Sequence, residues 1–426
     1  MAKVPESDKL AVQGGKPAKR NPDPPMYPGG MMIGEEEEKA VLEVLRTKRL
    51  FRYYGPDQGP SKATQLEQAF AAHMGVRHAL AVTSGTAALL CGLQGIGIGP
   101  GDEVIVPAYT WIASPGSVVA LGGVPVVAEV DESLTLDPED VERKITPYTK
   151  AIMPVHMRGA PSRMDALMDV ARRHGLKVLE DTAQADGGSF KGKRLGSIGD
   201  VGIFSLQFNK IITSGEGGMV ITNDDQIWQR AAMYHDVAGG QRNNVPENEI
   251  VWGINFRMPE LLAAVMLVQL KRLDGLLDSM RARKHMLRAG MEDVARRKGI
   301  AFQRSNDPDG DAAVAMIFFL DSPATAARVS EALGAENIGA GVIYHPDRRD
   351  YHIYPHWTPI MAQRTWTPRG GPWRWAQREI RYTPDMCPRS LDLLGRAVHL
   401  NVSPLLTNED VEETVEGLNK VLNALV

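Results

Sequence analysis

The chain has 426 residues, a formal net charge of -4 and 43% apolar residues, which is enough for a large buried core and too long for one simple one. So small a charge gives no electrostatic case for a nucleic-acid or anionic-membrane partner, and the apolar content excludes wholesale disorder. The two cysteines, Cys91 and Cys387, fit no CxxC or zinc spacing, so no metal site is expected and both read as reduced thiols. No apolar run approaches the roughly 18 residues of a membrane span. Residues 1–20 also lack the apolar middle of a secretory signal, so a cytoplasmic protein is expected.

Pro22, Pro24, Pro25, Pro28, Gly29 and Gly30 crowd the second half of residues 1–30, which read as an extended arm. Residues 35–46 are a predicted helix, with Val41, Val44 and Leu45 on one face and acids in the first turn, where the helix dipole favours them. A second amphipathic helix is predicted over 61–74, where Leu66, Ala69, Phe70 and His73 recur at helical spacing. An aromatic, glycine-rich loop, 51–59, separates the two.

From residue 78 the pattern becomes strand, then helix. Short β-branched runs at 79–82, 104–106, 124–127, 151–155 and 177–179 alternate with helical stretches such as 87–93 and 164–174. Such alternation implies an α/β layer around a mostly parallel sheet, in which functional groups gather at the carboxyl ends of the strands. Ser84, Gly85, Thr86, Trp111, His156, Asp181 and Lys210 fall at those ends. Further on, 259–299 reads as a long helical region bridging two domains, and strands are expected at 313–320 and 397–402. A closing helix starts at the cap Thr407, with Val411, Val415, Leu418 and Leu422 inward. The segment 347–389, containing Trp357, Trp366, Trp373 and Trp375, reads as a loop-like insertion.

The chemistry centres on residues 204–218. The apolar run 201–206 reads as a buried strand, with Lys210 at its end and a Gly-rich turn leading into a second strand, 219–222. A lysine desolvated there loses ammonium pKa, and its free amine can attack a carbonyl. Taken alone, a solvated surface lysine is the commoner case.

Three further groups match the needs of one cofactor, pyridoxal 5'-phosphate. Its ring nitrogen needs a buried carboxylate to stay protonated, and Asp181 follows the strand 177–180. Its phosphate needs a helix N-terminus and hydroxyls, which Ser84, Gly85, Thr86 and Ser205 can supply. Its ring gains from an aromatic face, which Trp111 can offer. Each has an ordinary alternative as a turn cap, an N-cap or a core tryptophan, but their joint placement at strand ends favours the cofactor.

These residues lie in motifs that resemble the DegT/DnrJ/StrS aminotransferases, which aminate keto-sugars and keto-cyclitols. The motifs are Thr83-Ser84-Gly85-Thr86-Ala87-Ala88-Leu89, Tyr109-Thr110-Trp111, Pro154-Val155-His156, Glu180-Asp181-Thr182-Ala183-Gln184-Ala185, the Lys210 stretch with Gly215-Glu216-Gly217-Gly218, and Gly253-Ile254-Asn255-Phe256-Arg257-Met258. The resemblance implies a type I pyridoxal-phosphate transferase fold, similar to aspartate aminotransferase. In that fold a large domain holds a mainly parallel seven-stranded sheet, and a smaller α+β domain follows. The expected division is an arm at 1–30, a cofactor-binding domain at 31–270 and a C-terminal domain at 271–426 that carries the insertion.

By the same resemblance Lys210 is the Schiff-base lysine and the base of the proton shift. Asp181 pairs with the pyridine nitrogen, Gln184 approaches the phenolic oxygen, Gly85, Thr86 and Ser205 hold the phosphate, and Trp111 lies over the ring. Asn255 is implied to reach the phosphate of a second subunit's cofactor, which makes the expected assembly a homodimer. Related proteins with histidine at the lysine position are dehydratases, and Lys210 argues against that reaction.

The expected activity is transfer of an amino group from glutamine or glutamate to a keto-sugar or keto-cyclitol. Its rivals are dehydration or epimerisation on the same cofactor, and a sugar-sensing regulator without turnover. Dinucleotide binding is disfavoured, since no GxGxxG follows the first strand. Arg158 departs from the family pattern, and either an anionic group on the substrate or the amino donor, or a surface salt bridge, would account for it.

Overall fold

The computed structural model describes residues 9–54, 59–368 and 370–426. Residues 1–8 of the expected arm, 55–58 of the aromatic loop and 369 of the insertion lie outside the described residues.

The strands of the first half are β1 (His78–Val82), β2 (Glu103–Pro107), β3 (Val124–Ala128), β4 (Thr149–Ile152), β5 (Lys177–Asp181), β6 (Ser189–Phe190), β7 (Lys193–Arg194), β8 (Val201–Ser205) and β9 (Gly218–Thr222). All but the small hairpin β6–β7 join one seven-stranded sheet of order β1-β9-β8-β5-β4-β2-β3. Its pairings are parallel from β3 through β8, and β9 runs antiparallel to both neighbours. The expected mainly parallel sheet is therefore present. Val104, Ile105 and Val106 are wholly buried, because helices cover both faces of a parallel sheet and leave no solvent side for polar residues.

Local chemistry sets the helix ends. Ser84 caps Gly85–Gly95 by accepting from the Ala87 N–H, and Asp224 caps Asp225–His235 in the same manner. The expected strand 151–155 is cut short at Ile152, since Pro154 has no N–H to donate and Val155 makes only an isolated bridge to Asp181. The long helical region divides into Glu260–Leu270 and Leu273–Lys298.

A second, antiparallel sheet, β10 (Ala301–Phe302), β11 (Ala315–Phe319), β12 (Ala340–Val342) and β13 (Ala397–Asn401), has the order β10-β11-β13-β12. The closing helix, Asn408–Leu425, starts at a capping box of Thr407 and Asp410. It packs on Leu273–Lys298.

Two segments differ from expectation. The arm is strapped down: Leu10 and Lys19 are fully buried, the Ala11 and Ala18 N–H groups bond the Glu336 carboxylate at 2.8 and 2.7 Å, and Lys19 pairs with Asp410 at 2.9 Å. The insertion is not loop-like throughout. It carries the helices Thr358–Met361 and Pro372–Trp375, and the helix Pro388–Arg396 begins at its end. Its Tyr354 and Trp357 are buried in one cluster with Val104 and Val106 of the large sheet, while Trp366 is fully exposed.

Candidate active site

The carboxyl ends of β2, β5 and β8 open into a cavity of about 540 Å³. Ser84, Gly85, Thr86, Trp111, Asp181, Gln184, Ser205 and Lys210 all line it. Asn255 does not. It is exposed, and its side-chain oxygen accepts the Arg257 N–H at 3.3 Å.

Asp181 ends β5 and is 4% exposed. Ser114 Oγ donates to its Oδ2 at 2.8 Å and the Ala183 N–H to its Oδ1 at 3.1 Å. Burial raises its pKa, opposed by these two hydrogen bonds and by the charge of Lys210. A cation seated beside Asp181 would therefore keep it ionised.

Lys210 lies in the loop after β8, five positions beyond the strand's last residue, Ser205. Its backbone N–H bonds the Gln207 carbonyl at 2.9 Å, and its own carbonyl accepts from Gly29 of the arm at 3.3 Å. Burial lowers the ammonium pKa, against the pull of Asp186 and Asp181. This is the desolvated amine that nucleophilic chemistry requires.

The helix Gly85–Gly95 points its N-terminus at the cavity, leaving its first N–H groups without intrahelical acceptors. Its entry is tight. A Cβ on Gly85 would stand 2.7 Å from Ser205 Cβ, and one on Gly218 would stand 2.3 Å from the Ser84 carbonyl oxygen. Both glycines let the Ser84–Thr86 turn sit directly over β8 and β9. Backbone donors, two hydroxyls and a helix dipole converge there, as a phosphate dianion needs.

Trp111 is 45% exposed at the cavity mouth, its ring 4.8 Å from that of His352. His352 belongs to the insertion. It reaches the site because the Thr110 N–H bonds the His352 carbonyl at 2.9 Å and the Tyr354 N–H bonds the Ala108 carbonyl at 3.1 Å, running that segment along the chain that leaves β2. Asp350 Oδ1 accepts from His352 Nδ1 at 2.8 Å, which leaves Nε2 as an acceptor for the Gln184 amide 3.4 Å away. Burial opposes ionisation of Asp350, but the hydrogen bonds from His352 hold its pKa down to about 2. The Gln184 oxygen accepts the Arg158 N–H at 3.2 Å, so the amide is oriented from both ends.

His156, also noted at a strand end, does not line the cavity. It is fully buried between the Ser162 N–H and Glu180, and Glu180 in turn accepts from the backbone N–H groups of Gly196, Ile198 and Gly199. These two residues brace loops. Other wall residues were not evident from the sequence: Met26, Tyr27 and Pro28 of the arm, and Val314 and Asn401 of the second sheet. Their only signal was the proline cluster that held the arm extended.

The sequence matches the DegT/DnrJ/EryC1/StrS aminotransferase family over residues 31–365. The chain belongs to this family. It is 34% identical to the L-glutamine:2-deoxy-scyllo-inosose aminotransferase of Streptomyces paromomycinus, over 97% of each chain. It is 47% identical to GDP-perosamine synthase of Caulobacter vibrioides over 49% of this chain, a stretch spanning 56% of that protein's length. Among solved structures, 3-amino-5-hydroxybenzoic acid synthase superposes with a TM-score of 0.77 at 28% identity, covering 95% of this chain and all of that one. The fold is that of the pyridoxal 5'-phosphate-dependent aminotransferases, and the donors around the cavity fit that cofactor. No group of histidine, cysteine and acidic side chains suited to a metal occurs among the described residues, and no described helix is long and apolar enough to cross a membrane.

Proposed function

We propose that the protein transfers an amino group from L-glutamine or L-glutamate to the ketone of a cyclitol or sugar, with pyridoxal 5'-phosphate bound covalently to Lys210. One observation carries the reading: a desolvated lysine, a buried carboxylate and a helix N-terminus line the same cavity. The full-length likeness to a glutamine-dependent inosose aminotransferase supports the choice of donor and acceptor class.

When bound, the cofactor supplies the electron sink that lets a donor α-proton leave, and it stores the amino group between the two substrates. The chain supplies the rest. The Gly85 and Thr86 N–H groups and the Ser84 and Ser205 hydroxyls would hold the phosphate, and Trp111 would pack against the ring. Asp181, kept in place by Ser114, holds the proton on the ring nitrogen. The Gln184 amide donates to the phenolic oxygen. Lys210 Nζ would take up and return the donor's α-proton, at a pKa that burial brings nearer neutrality.

The working unit in this reading is a homodimer. Asn255 lies outside its own cavity, next to an exposed apolar patch of Ile250, Val251, Trp252 and Ile254. Closure of that patch by a second copy would bring Asn255 to the other subunit's phosphate and fits the expected shared sites.

The test is a half-reaction. Glutamine or glutamate alone should bleach the visible absorbance of the yellow enzyme, and a keto-cyclitol or keto-sugar should restore it. Enzyme that no amino donor bleaches would contradict the reading.

A further inference from the structure

Arg158 sits in the short 3-10 turn Met157–Gly159 with φ 53° and ψ 29°. A residue with a Cβ rarely adopts this left-handed conformation, which persists where the surroundings enforce it and often marks a functional position. The backbone there is held by the hydrogen bond to Gln184, and the side chain lines the cavity that contains Lys210.

The partners of the guanidinium among the described residues are uncharged. Nη1 donates to Asn401 Oδ1 at 3.2 Å, and Nη2 lies 3.4 Å from His399 Nε2. The Tyr109 hydroxyl is the third. Burial, together with the nearby Arg158 charge, takes the His399 pKa down to about 3 and keeps that ring a neutral acceptor. The acid whose charge Arg158 does feel, Asp350, is engaged by the His352 ring and by the His352 N–H at 2.9 Å. Arg158 is thus a permanent cation set in the cavity wall, positioned by neutral groups and lacking a carboxylate of its own. Such a guanidinium is complementary to a planar anion.

We propose that Arg158 binds the α-carboxylate of the amino donor, with Asn401, His399 and Tyr109 holding the guanidinium in position. The assignment rests on the transamination reading above and adds to it the group that selects an amino acid. The chemistry of the two substrates decides between them. A free keto-cyclitol or keto-sugar is an uncharged polyol, and in a nucleotide-linked sugar the phosphates stand several bonds from the ketone. The donor carboxylate is attached to the reacting carbon itself, which must come to Lys210 in the same cavity. Once Lys210 is covalently engaged its charge is no longer available to that anion, and Arg158 remains.

The experiment compares the holoenzyme with its Arg158→Gln and Arg158→Lys forms in two ways. Calorimetric titration with glutarate, a dicarboxylate with no amine to react, should show about 10- to 100-fold weaker binding to Arg158→Gln, the loss expected of a charged hydrogen-bonded pair. Binding to Arg158→Lys should be intermediate, since a lysine keeps the charge but not the fork. Single-turnover kinetics should show kcat/KM for glutamine falling by a similar factor, while return of the amino group to the ketone changes less than threefold. If the ketone half-reaction falls and the donor one does not, Arg158 reads the acceptor and the proposal is wrong. Unchanged glutarate binding and unchanged donor kinetics would leave Arg158 a structural residue and equally overturn it. A wild-type enzyme that no amino acid bleaches would instead defeat the transamination reading. Should Arg158→Gln lose its visible absorbance, the comparison of Arg158→Lys with wild type decides alone.

Discussion

Ser114 Oγ donates a 2.8 Å hydrogen bond to Asp181 Oδ2, tying the helix Ala113–Ala120 to the end of β5. Thr110 Oγ1 lies 2.7 Å from Ser114 Oγ in turn, so the chain that carries Trp111 also fixes the carboxylate. Removing the hydroxyl in Ser114→Ala leaves a buried carboxylate oxygen unpartnered, at a cost of about 1–3 kcal/mol. Cofactor affinity should fall by roughly 10- to 100-fold, measured as the dissociation constant of pyridoxal 5'-phosphate for apoenzyme. An unchanged constant would remove Ser114 from the account.

Asp186 is buried, and neither of its carboxylate oxygens has a hydrogen-bond partner. Burial pushes its pKa up to about 8, against the pull of Lys210. The folded state therefore holds a proton that the unfolded chain releases near pH 4, and stability is lost as pH rises from about 4 to about 8. Asp186→Asn removes that dependence. Its apoenzyme should gain stability relative to wild type across this window, in urea unfolding at pH 5 and at pH 8.

Asp350, His352 and Gln184 form a chain in which each member orients the next. His352→Ala should leave the Gln184 amide free to turn and weaken cofactor binding by roughly 5-fold, about one neutral hydrogen bond. Asp350→Asn should act in the same direction and less. Equal affinities in all three proteins would show that the chain does not reach the cofactor.

Shared sites predict complementation. Asn255→Ala and Lys210→Ala should each be inactive or nearly so, yet a mixed dimer of the two contains one site with both native residues. Co-expression with separable tags should recover up to half the wild-type activity per dimer. Absence of recovery in a purified mixed dimer would place Asn255 outside the partner's site.

Much of the fold was legible because it is written locally. β-branched runs such as 104–106 are wholly buried, and Ser84 and Thr407 cap helices where their side chains suggest. The strand-end rule brought Ser84, Trp111, Asp181 and Lys210 to one cavity. Apart from Arg158, the substrate side was not legible, for a physical reason. His352 enters by pairing its backbone with Thr110, more than 200 residues earlier, and Asn401 arrives at the end of β13. Neither contact leaves a periodic trace. The insertion misled because its Trp357 and Tyr354, read as loop residues, are core residues of another layer.

The central claim is that the Lys210 amine carries the cofactor. Reduction of the yellow holoenzyme with borohydride, digestion and peptide mass spectrometry tests it most directly. The account predicts a phosphopyridoxyl group on the peptide containing Lys210 and none in Lys210→Ala. A label on another lysine, or an undiminished label in Lys210→Ala, would contradict it.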